Sequence, residues 1–352
     1  MLYFATYFDI NYLTRGLALL HSLKSHSSEP LTLYILALDK QINTYFEKFD
    51  NDNVVIISID AFESYFPELS KIKDNRSKIE YYFTLSPFLP LYILETFNEV
   101  DQITTMDADL YFFDDPAIIL RSYPQASILI TPHNFSPSIE DRKKYGRYNV
   151  SFQSFKKNKE GLACLKDWKE RCLEWCYDYL DEKNNRYADQ KYLDTWNERY
   201  KISEINIPGA GLAPWNIEKY SYRIINNKIF VNDHPLIYYH FHHLRIFNKN
   251  FALNALLSYK VDVTRKAIRV IYHTYLKKLR LVAKSDFHLD DSIKRYSHSS
   301  NQTLIHKVIE ADGYWLFTHH FITHVNHDFI RRVNLLAYLA KVKKILKSLW
   351  LD

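Results

Sequence analysis

Two aspartates one residue apart, Asp107 and Asp109, directly follow an apolar stretch that has the pattern of a β-strand. Carboxylates so placed can both face one cation where the chain bends out of the strand. A divalent ion held by one or two carboxylates keeps coordination positions free for phosphate oxygens, and it can neutralise the charge that builds on a departing diphosphate. Ligands of open α/β sheets bind beyond the carboxyl ends of strands, so the position suits this chemistry. Two nearby acids are also common on a solvated surface or in a turn, and the pair alone leaves that alternative open.

Other acidic and histidine clusters carry weaker signals. Asp114 and Asp115 precede Pro116, which is the pattern of a turn or a helix cap. His240 lies near the end of an apolar stretch, where a lone histidine is more often a hydrogen-bonded core residue than a metal ligand. His242, two residues on, is a second candidate ligand.

The composition is that of a globular protein, and it excludes several classes. Of 352 residues, 47% are hydrophobic and 25% charged, which rules out disordered, collagen-like and disulfide-scaffold proteins. With only six glycines, the chain contains neither of the two common glycine-rich phosphate-binding motifs. Three cysteines, Cys164, Cys172 and Cys176, lack the spacing of a zinc site, and we expect them to be reduced thiols packed in a core.

The charge is unevenly distributed along the chain. Residues 1–250 carry a net charge of −4, whereas residues 251–352, with 17 Lys and Arg against 8 Asp and Glu, carry +9. The first residues lack a basic segment and predict a strand and not a secretion signal. No apolar run approaches the roughly 18 residues of a membrane-spanning helix. These features predict a cytoplasmic protein, or one bound to a membrane surface without crossing it.

Short apolar runs alternate with amphipathic stretches through the first 60 residues, which predicts βαβ units and a mostly parallel sheet. A helical stretch from about residue 78 to residue 98 contains Pro87 and Pro90 and should be kinked or split. The stretch YNVSFQSF alternates, as in a strand that is antiparallel or at a sheet edge. We expect a catalytic domain over residues 1–250 and a helical, basic region over residues 251–352.

The C-terminal region contains two basic amphipathic helix candidates. In the second, residues 329–350, apolar side chains recur every three or four residues and Lys and Arg lie opposite them. Such a helix fits an anionic membrane surface. It equally fits a helix packed on its own domain with a solvated basic face.

Four motifs carry a family resemblance. In chain order they are the opening strand FATYFD with Tyr12 after it, MDADLYFF, RYADQ at residues 186–190, and YHFH at residues 239–242. Together they resemble the nucleotide-sugar glycosyltransferases of the GT-A fold, particularly the family 8-like, galactosyltransferase-type group. The resemblance covers roughly residues 1–250. It implies an α/β fold of the GT-A (Rossmann-like) type, with a mixed, mostly parallel sheet flanked by helices and a mainly helical, basic C-terminal extension.

The resemblance also implies site residues. Asp107, Asp109 and His240 would hold Mn²⁺ or Mg²⁺, a choice that two carboxylates and one imidazole favour over Zn²⁺. The donor nucleotide would contact a set consisting of Thr6, Tyr7, Tyr12, Lys78, Asp107 and Arg245. Arg245 would replace a lysine of the family's H-F-x-G-x-x-K-P-W continuation, which this chain lacks.

Asp189 and Gln190 would lie beside the donor sugar and are the candidate catalytic residues. An inverting reaction needs a carboxylate base near the acceptor, for which Asp189 is the leading candidate. The alternative is structural: Asp189 would cap a helix N-terminus and Gln190 would pair locally.

These features predict a metal-dependent hexosyltransferase. It would move a sugar from a nucleoside diphosphate sugar, with UDP favoured, to a glycan or lipid-linked acceptor in cell-surface polysaccharide synthesis. A sugar nucleotidyltransferase is one alternative, although residues 9–16 match its glycine-rich loop poorly. A nucleic-acid-binding protein acting through the basic tail is another, but we expect no nucleic-acid partner.

Overall fold

The computed structural model describes residues 1–48, 53–248, 251–262 and 265–285. The chain divides into two compact units, of which the first is Met1–His242 and the second begins at His243. The second candidate helix of the basic tail, residues 329–350, lies outside the described residues.

Strands and helices alternate through the first unit, as the sequence predicted. The strands are β1 (Leu2–Phe8), β2 (Leu31–Ala37), β3 (Val54–Ser58), β4 (Gln102–Met106), β5 (Leu110–Phe112), β6 (Ile128–Pro132), β7 (Tyr148–Lys156), β8 (Ile202–Glu204), β9 (Tyr222–Ile225), β10 (Lys228–Val231), β11 (His234–Pro235), β12 (Tyr238–His240), β13 (Arg245–Asn248) and β14 (Phe251–Leu253). The α-helices are α1 (Leu13–His26), α2 (Lys40–Phe46), α3 (Ile59–Tyr65), α4 (Ser70–Lys73), α5 (Lys78–Thr84), α6 (Phe88–Thr96), α7 (Ala117–Ser122), α8 (Lys159–Glu174), α9 (Trp196–Arg199) and α10 (Lys266–Ser285). The 3₁₀ segments are Ile10–Tyr12, Pro67–Leu69, Pro137–Tyr145, Gln190–Thr195, Ile217–Lys219 and Leu256–Tyr259.

The main sheet has seven strands in the order β3-β2-β1-β4-β7-β6-β8. All neighbours are parallel except the two pairs made by β7. This is the predicted mixed, mostly parallel sheet, and helices flank it. The antiparallel prediction for β7 is confirmed. The alternative prediction, a strand at the sheet edge, is wrong, because β7 lies between β4 and β6 and pairs with both.

The order in which successive strands are added to this sheet reverses at β1, although β1 and β4 are parallel. From β1 the order runs outward through β2 and β3, and β4 then pairs with the other side of β1. In open α/β sheets, ligands bind outside the carboxyl ends of the strands at such a switch point. Here those ends carry Tyr7 on β1 and Asp107 directly after β4.

The predicted helix of residues 78–98 is split, as expected, into α5 and α6 near Pro87. A capping box stabilises the start of α5, because Ser77 accepts from the amide of Glu80 and the Glu80 carboxylate accepts from the amide of Ser77. Both helices have buried faces on the core of the sheet.

Large aromatic side chains fill the core of the first unit on the α8 side. Trp168 and Trp196 are fully buried, and their ring centroids are 5.3 Å apart. The three cysteines are buried free thiols, as predicted. Cys164 and Cys172 lie on α8, but Cys176 lies beyond its end.

The second unit contains the hairpin β13–β14 and the basic helix α10. The first predicted tail helix is thereby confirmed. Apolar side chains of α10 are buried, among them Ile268, Ile271 and Tyr275, while Lys277 and Arg280 are exposed. None of the helices within the described residues is both long and apolar enough to cross a bilayer.

Candidate metal centre

The two aspartates of the sequence motif lie in the turn between β4 and β5. The amide of Asp107 donates to the carbonyl of Ser151 on β7 at 3.0 Å, so the pairing of β4 with β7 extends one residue past the strand. The amide of Leu110 donates to the carbonyl of Asp107 at 3.2 Å and closes a tight turn. The turn lies at the switch point, where β4 ends.

Antiparallel pairing between β5 and β12 brings His240 to this turn. Residues 110 and 240 are opposite each other in the register, and the amide of Phe241 donates to the carbonyl of Asp109 at 3.0 Å. The two strands are about 130 residues apart in the chain, and a ribbon of three residue pairs brings them together. Tyr238 on this ribbon stacks on Phe152 of β7, with ring centroids 5.2 Å apart.

The three side chains converge on one point. His240 Nε2 lies 3.1 Å from Asp109 Oδ1 and 3.5 Å from Asp107 Oδ2. One ligand atom from each residue lies within 4.8 Å of the other two. His240 and Asp109 are buried, whereas about a third of the Asp107 side chain is exposed, so the cluster opens to solvent on the Asp107 side.

The two carboxyl groups have different electrostatic environments. Burial raises the pKa of Asp107 to about 6, and the nearby carboxylate of Asp109 adds to this rise while His240 opposes it. Burial also opposes ionisation of Asp109, but the charge and hydrogen bond of His240 outweigh it and lower the pKa to about 2. The two aspartates in turn raise the pKa of His240 against the effect of burial. The two aspartates thus favour the protonated form of His240 in the metal-free cluster.

The donor set fits a hard or borderline divalent cation. Two carboxylate oxygens and one imidazole nitrogen leave coordination positions for ligand oxygens, as Mn²⁺ and Mg²⁺ sites require. An ion would replace the proton on His240 Nε2 as the positive charge between the aspartates. Asp107, Asp109 and His240 are therefore able to hold the ion that the sequence motifs imply.

Asp114 and Asp115 lie outside this cluster. Asp115 Oδ1 accepts from the amide of Ala117 at 3.0 Å at the start of α7. The Asp114 carboxylate accepts from the amide of Asp115 at 2.9 Å. The predicted turn before α7 is confirmed.

Two curated proteins from Bacillus subtilis (strain 168) are similar in sequence to this chain. YfnD is 29% identical over 282 residues, which cover 79% of this chain and 88% of YfnD. YfnF is 31% identical over 247 residues, which cover 68% of this chain and 80% of YfnF. The chain belongs to the YfnF family. Both relatives are described as uncharacterized proteins, and no protein-family model matches the chain.

Two solved glycosyltransferase structures are similar to this YfnF-family chain. The apo form of mouse xyloside xylosyltransferase 1 has a TM-score of 0.42 and 10% identity, covering 69% of this chain and 98% of its own. The galactosyltransferase LgtC, in complex with donor and acceptor sugar analogs, has a TM-score of 0.46 and 12% identity, covering 68% and 86%.

Asp189 is a buried carboxyl group that interacts electrostatically with Asp107 of the three-residue cluster in this YfnF-family member. It is 2% exposed, and its Oδ2 atom has no hydrogen-bond partner among the described residues. Burial raises its pKa to about 7, and the charge of Asp107 adds to the rise while the Ser86 hydroxyl opposes it. Asp189 precedes a 3₁₀ segment, and its side chain makes no N-cap hydrogen bond to that segment. Its catalytic role stays a prediction.

The side chain of Gln190 has a partner in a distant segment of the chain. Its Nε2 donates to the carbonyl of Tyr145 at 2.9 Å and so holds the turn at Gly146. This partner is 45 residues away in the chain, so it is not the local pairing at a helix start that the sequence left open. The place of Gln190 beside a donor sugar stays a prediction.

The predicted nucleotide residues of β1 occupy the strand's carboxyl end. Tyr7 donates to or accepts from Ser86 at 3.1 Å, and burial together with the charges of Asp189 and Asp107 raises its pKa well above the usual value. Thr6 is 1% exposed, and its Oγ1 has no hydrogen-bond partner among the described residues. Tyr7 is therefore the better placed of the two to contact a ligand.

Lys78 pairs with a buried acid, Asp9, to which the sequence analysis gave no role, and the amide of Tyr12 donates to the carbonyl of Asp9 at 2.9 Å. Lys78 Nζ is 2.7 Å from Asp9 Oδ2, and this hydrogen bond and charge raise the pKa of Lys78. Asp9 also accepts from the hydroxyl of Tyr82 at 3.4 Å. The Tyr12 ring is 40% exposed and has the guanidinium of Arg15 4.4 Å from its centroid.

None of the predicted contacts with the donor nucleotide is tested by this geometry. Lys78 contacts Asp9 and not a residue of the metal cluster, and its contact with a nucleotide stays a prediction. Arg245 is exposed on β13 of the second unit, and its contact with a diphosphate also stays a prediction.

Sequence reasoning missed Asp9 and Ser86 as residues of the site. Asp9 carried a usable signal, since it is the first acid after the opening strand of a predicted βαβ unit. Ser86 carried none, because a serine between two helices is ordinary and only the fold places it between Tyr7 and Asp189.

Proposed function

We propose that this chain is a metal-dependent glycosyltransferase that takes a sugar from a nucleoside diphosphate donor, UDP being favoured, and passes it to a glycan or lipid-linked acceptor. One observation carries the proposal: the ligand atoms of Asp107, Asp109 and His240 lie within 4.8 Å of one another. They do so at the switch point of the sheet, where ligands of this architecture bind.

The metal-binding residues would fix the diphosphate of the donor. When bound, a divalent ion neutralises the negative charge that develops on the leaving nucleoside diphosphate. Asp107, which is partly exposed, lies on the open side of the cluster, and Asp109 and His240 form its buried side. The three protein ligands would leave the solvent side for phosphate oxygens.

The nucleotide would lie along the carboxyl end of β1. Tyr7 there supplies an aromatic ring, and Tyr12 supplies another that is 40% exposed. The ion pair of Asp9 with Lys78 offers a carboxylate acceptor for a base or ribose group and a cation for a phosphate. UDP as the nucleotide, and Thr6 and Arg245 as further contacts, rest on the family resemblance of the motifs.

The sugar would lie between the metal cluster and Asp189. A carboxyl group with a pKa of about 7 is suited to proton transfer near neutral pH. We propose that Asp189 acts on the acceptor hydroxyl or on the sugar. Gln190, whose amide holds the turn at Tyr145, would keep the segment of Asp189 in place.

The acceptor and the cellular setting are proposed from the sequence. The basic C-terminal region, residues 251–352, would serve a glycan or lipid-linked acceptor at the inner face of an anionic membrane. The reaction would then belong to cell-surface polysaccharide synthesis.

A panel of nucleotide sugars tests the proposal directly. We expect Mn²⁺-dependent release of UDP from at least one UDP-sugar, and Asp109→Asn should lower this rate by at least about 100-fold, since it removes a charged metal ligand. Asp114→Asn is the matched control, because Asp114 lies five residues further along and outside the cluster, and it should keep the wild-type rate.

Near-normal turnover by Asp109→Asn would refute the assignment of the metal centre. Turnover of a sugar phosphate with a nucleoside triphosphate, in place of UDP release, would identify a nucleotidyltransferase instead.

A further inference from the structure

The main chain of His240 is held on both sides by short segments. On one side β12 pairs with β5, where residue 240 is opposite Leu110. On the other side the amide of His240 donates to the carbonyl of Leu212 at 2.8 Å, and Leu212 forms a parallel bridge with Tyr239. Leu212 belongs to residues 208–216, which we call the 208–216 loop. This loop packs against His240 of the three-residue cluster.

The ring of His240 is positioned by packing. A metal-binding histidine usually donates its second ring N–H to a carboxylate or carbonyl, which fixes the ring orientation. Here Nδ1 of His240 is buried and has no hydrogen-bond partner among the described residues. The ring of Trp215, also in the 208–216 loop, lies edge-on to His240 with centroids 5.2 Å apart and an interplanar angle of 88°. The ring of His242 also packs on His240, with centroids 5.5 Å apart. The position in which the loop holds Trp215 is therefore one of two ring contacts that orient the ligand.

The side chain of Asn216 ties the 208–216 loop together. It is 2% exposed, and its Oδ1 accepts from the amide of Ala213 at 2.9 Å. Its Nδ2 donates to the carbonyl of Gly211 at 2.8 Å and to that of His133 at 3.0 Å. These bonds hold the two residues that flank Leu212 and fasten the loop to the segment that follows β6.

Only a primary amide of this length satisfies all three bonds. Aspartate keeps the acceptor for Ala213 but loses both donors and brings a buried charge close to two carbonyls. Leucine loses all three bonds. The side chain of Asn216 is therefore matched to the main chain on both sides of Leu212.

We infer that Asn216 is a positioning residue for the metal ligand His240. It fixes the Leu212 carbonyl that receives the His240 amide, and it fixes Trp215, against which the imidazole packs. This inference rests on the metal centre of the proposed function. In other metal sites, a hydrogen bond donated by the second ring nitrogen fixes the orientation of the ligand histidine. Here the 208–216 loop would fix that orientation by packing.

Mn²⁺ binding to the metal-free full chain tests this inference without any turnover. The free Mn²⁺ signal in electron paramagnetic resonance is titrated at 10 °C, with thermal unfolding recorded for each variant to confirm the fold. Asn216→Asp should weaken Mn²⁺ binding by about 10- to 100-fold. Asn206→Asp is the control, since Asn206 is an exposed asparagine before the same loop, and it should bind Mn²⁺ like the wild type.

A double-mutant cycle separates positioning from a general loss of stability. In a His240→Ala background, Asn216→Asp should cause no further loss of Mn²⁺ affinity, because its effect is transmitted through His240. Should Asn216→Asp fail to fold, Trp215→Phe decides the matter. It keeps an aromatic ring in the core but withdraws the edge that contacts His240, and it should weaken Mn²⁺ binding several-fold.

The outcomes are distinguishable. Wild-type Mn²⁺ affinity in folded Asn216→Asp, or in Trp215→Phe where that variant decides, would overturn this inference and leave the metal centre intact. An equal loss with and without His240 would also overturn it. Absence of Mn²⁺ binding by the wild type would overturn the proposed metal centre and this inference with it.

Discussion

At the scale of single residues, the site contains three carboxyl groups that the fold treats differently. Asp109 is held ionised by His240, whereas burial raises the pKa of Asp107 to about 6 and that of Asp189 to about 7. Groups whose environments separate their pKa values are suited to separate roles. Asp109, which His240 keeps ionised, is suited to permanent metal binding. Asp189, which is buried without a cation beside it, is suited to proton transfer.

The pKa of Asp189 predicts a pH dependence of stability. An unfolded aspartate has a pKa of about 3.9, so the folded chain retains a proton that the unfolded chain releases between about pH 4 and pH 7. The stability contributed by Asp189 is complete below about pH 4 and is lost as the pH rises through 7. We expect Asp189→Asn, which mimics the neutral carboxyl, to match the wild type near pH 4 and to exceed it by on the order of 2–4 kcal/mol above pH 8.

Urea unfolding of the metal-free chain at several pH values measures this difference. Asp74→Asn removes an exposed carboxylate and should follow the wild-type profile. Parallel pH profiles for Asp189→Asn and the wild type would show that Asp189 titrates normally in the fold.

The sequence predicted the residues of the cluster but not their surroundings. Asp107, Asp109 and His240 were identified because their motifs resemble those of a family, and the geometry brings them together. The burial of Asp189 was not predictable, since it depends on how α5, α8 and β1 pack. The contact of Lys78 with Asp9 depends equally on two segments that are distant in the chain.

At the scale of elements, the segment that leads to Asp189 is anchored by a buried arginine. Arg76 is 8% exposed, and its guanidinium donates to the carbonyls of Cys172 and Leu173 at 2.7 Å at the end of α8. The same group donates to Thr84 on α5 at 2.5 Å. A cation at the carboxyl end of a helix also interacts favourably with the helix dipole.

Removing this guanidinium should therefore destabilise the fold. We expect Arg76→Met to lower the free energy of unfolding by about 2–5 kcal/mol, because buried carbonyls of α8 lose their donors. Arg171→Met removes an arginine of the same helix region that pairs with Asp167 at the surface, and it should cost less than about 1 kcal/mol. Equal urea midpoints for the two variants would mean that Arg76 contributes no more to the free energy of unfolding than Arg171 does.

Prediction at this scale succeeded where the pattern is local. The split at Pro87 follows from the missing amide of proline, and the helix α10 follows from its apolar periodicity. Strand β5 was not predicted as an element apart from β4. It has only three residues after the two acids, and three apolar residues are too few to indicate a strand. Only the pairing with β12 defines β5 as a strand, and that pairing joins residues far apart in the sequence.

At the scale of the whole molecule, the fold class was predictable, and the domain boundary expected near residue 250 stays a prediction. Alternating strands and helices indicated the mostly parallel sheet. The chain divides into compact units between residues 242 and 243. The change in charge near residue 250 is a property of the amino-acid composition. The division into units reflects main-chain contacts. The catalytic and membrane roles of the two regions stay predictions.

The account depends on one ion bound by three side chains from two distant parts of the chain. Crystals grown with Mn²⁺ and UDP, measured at an X-ray energy where manganese scatters anomalously, test this most directly. We predict a single strong anomalous peak within bonding distance of Asp107, Asp109 and His240 Nε2, with the diphosphate of UDP on its solvent side. A peak elsewhere, or none at this cluster under saturating Mn²⁺, would contradict the account.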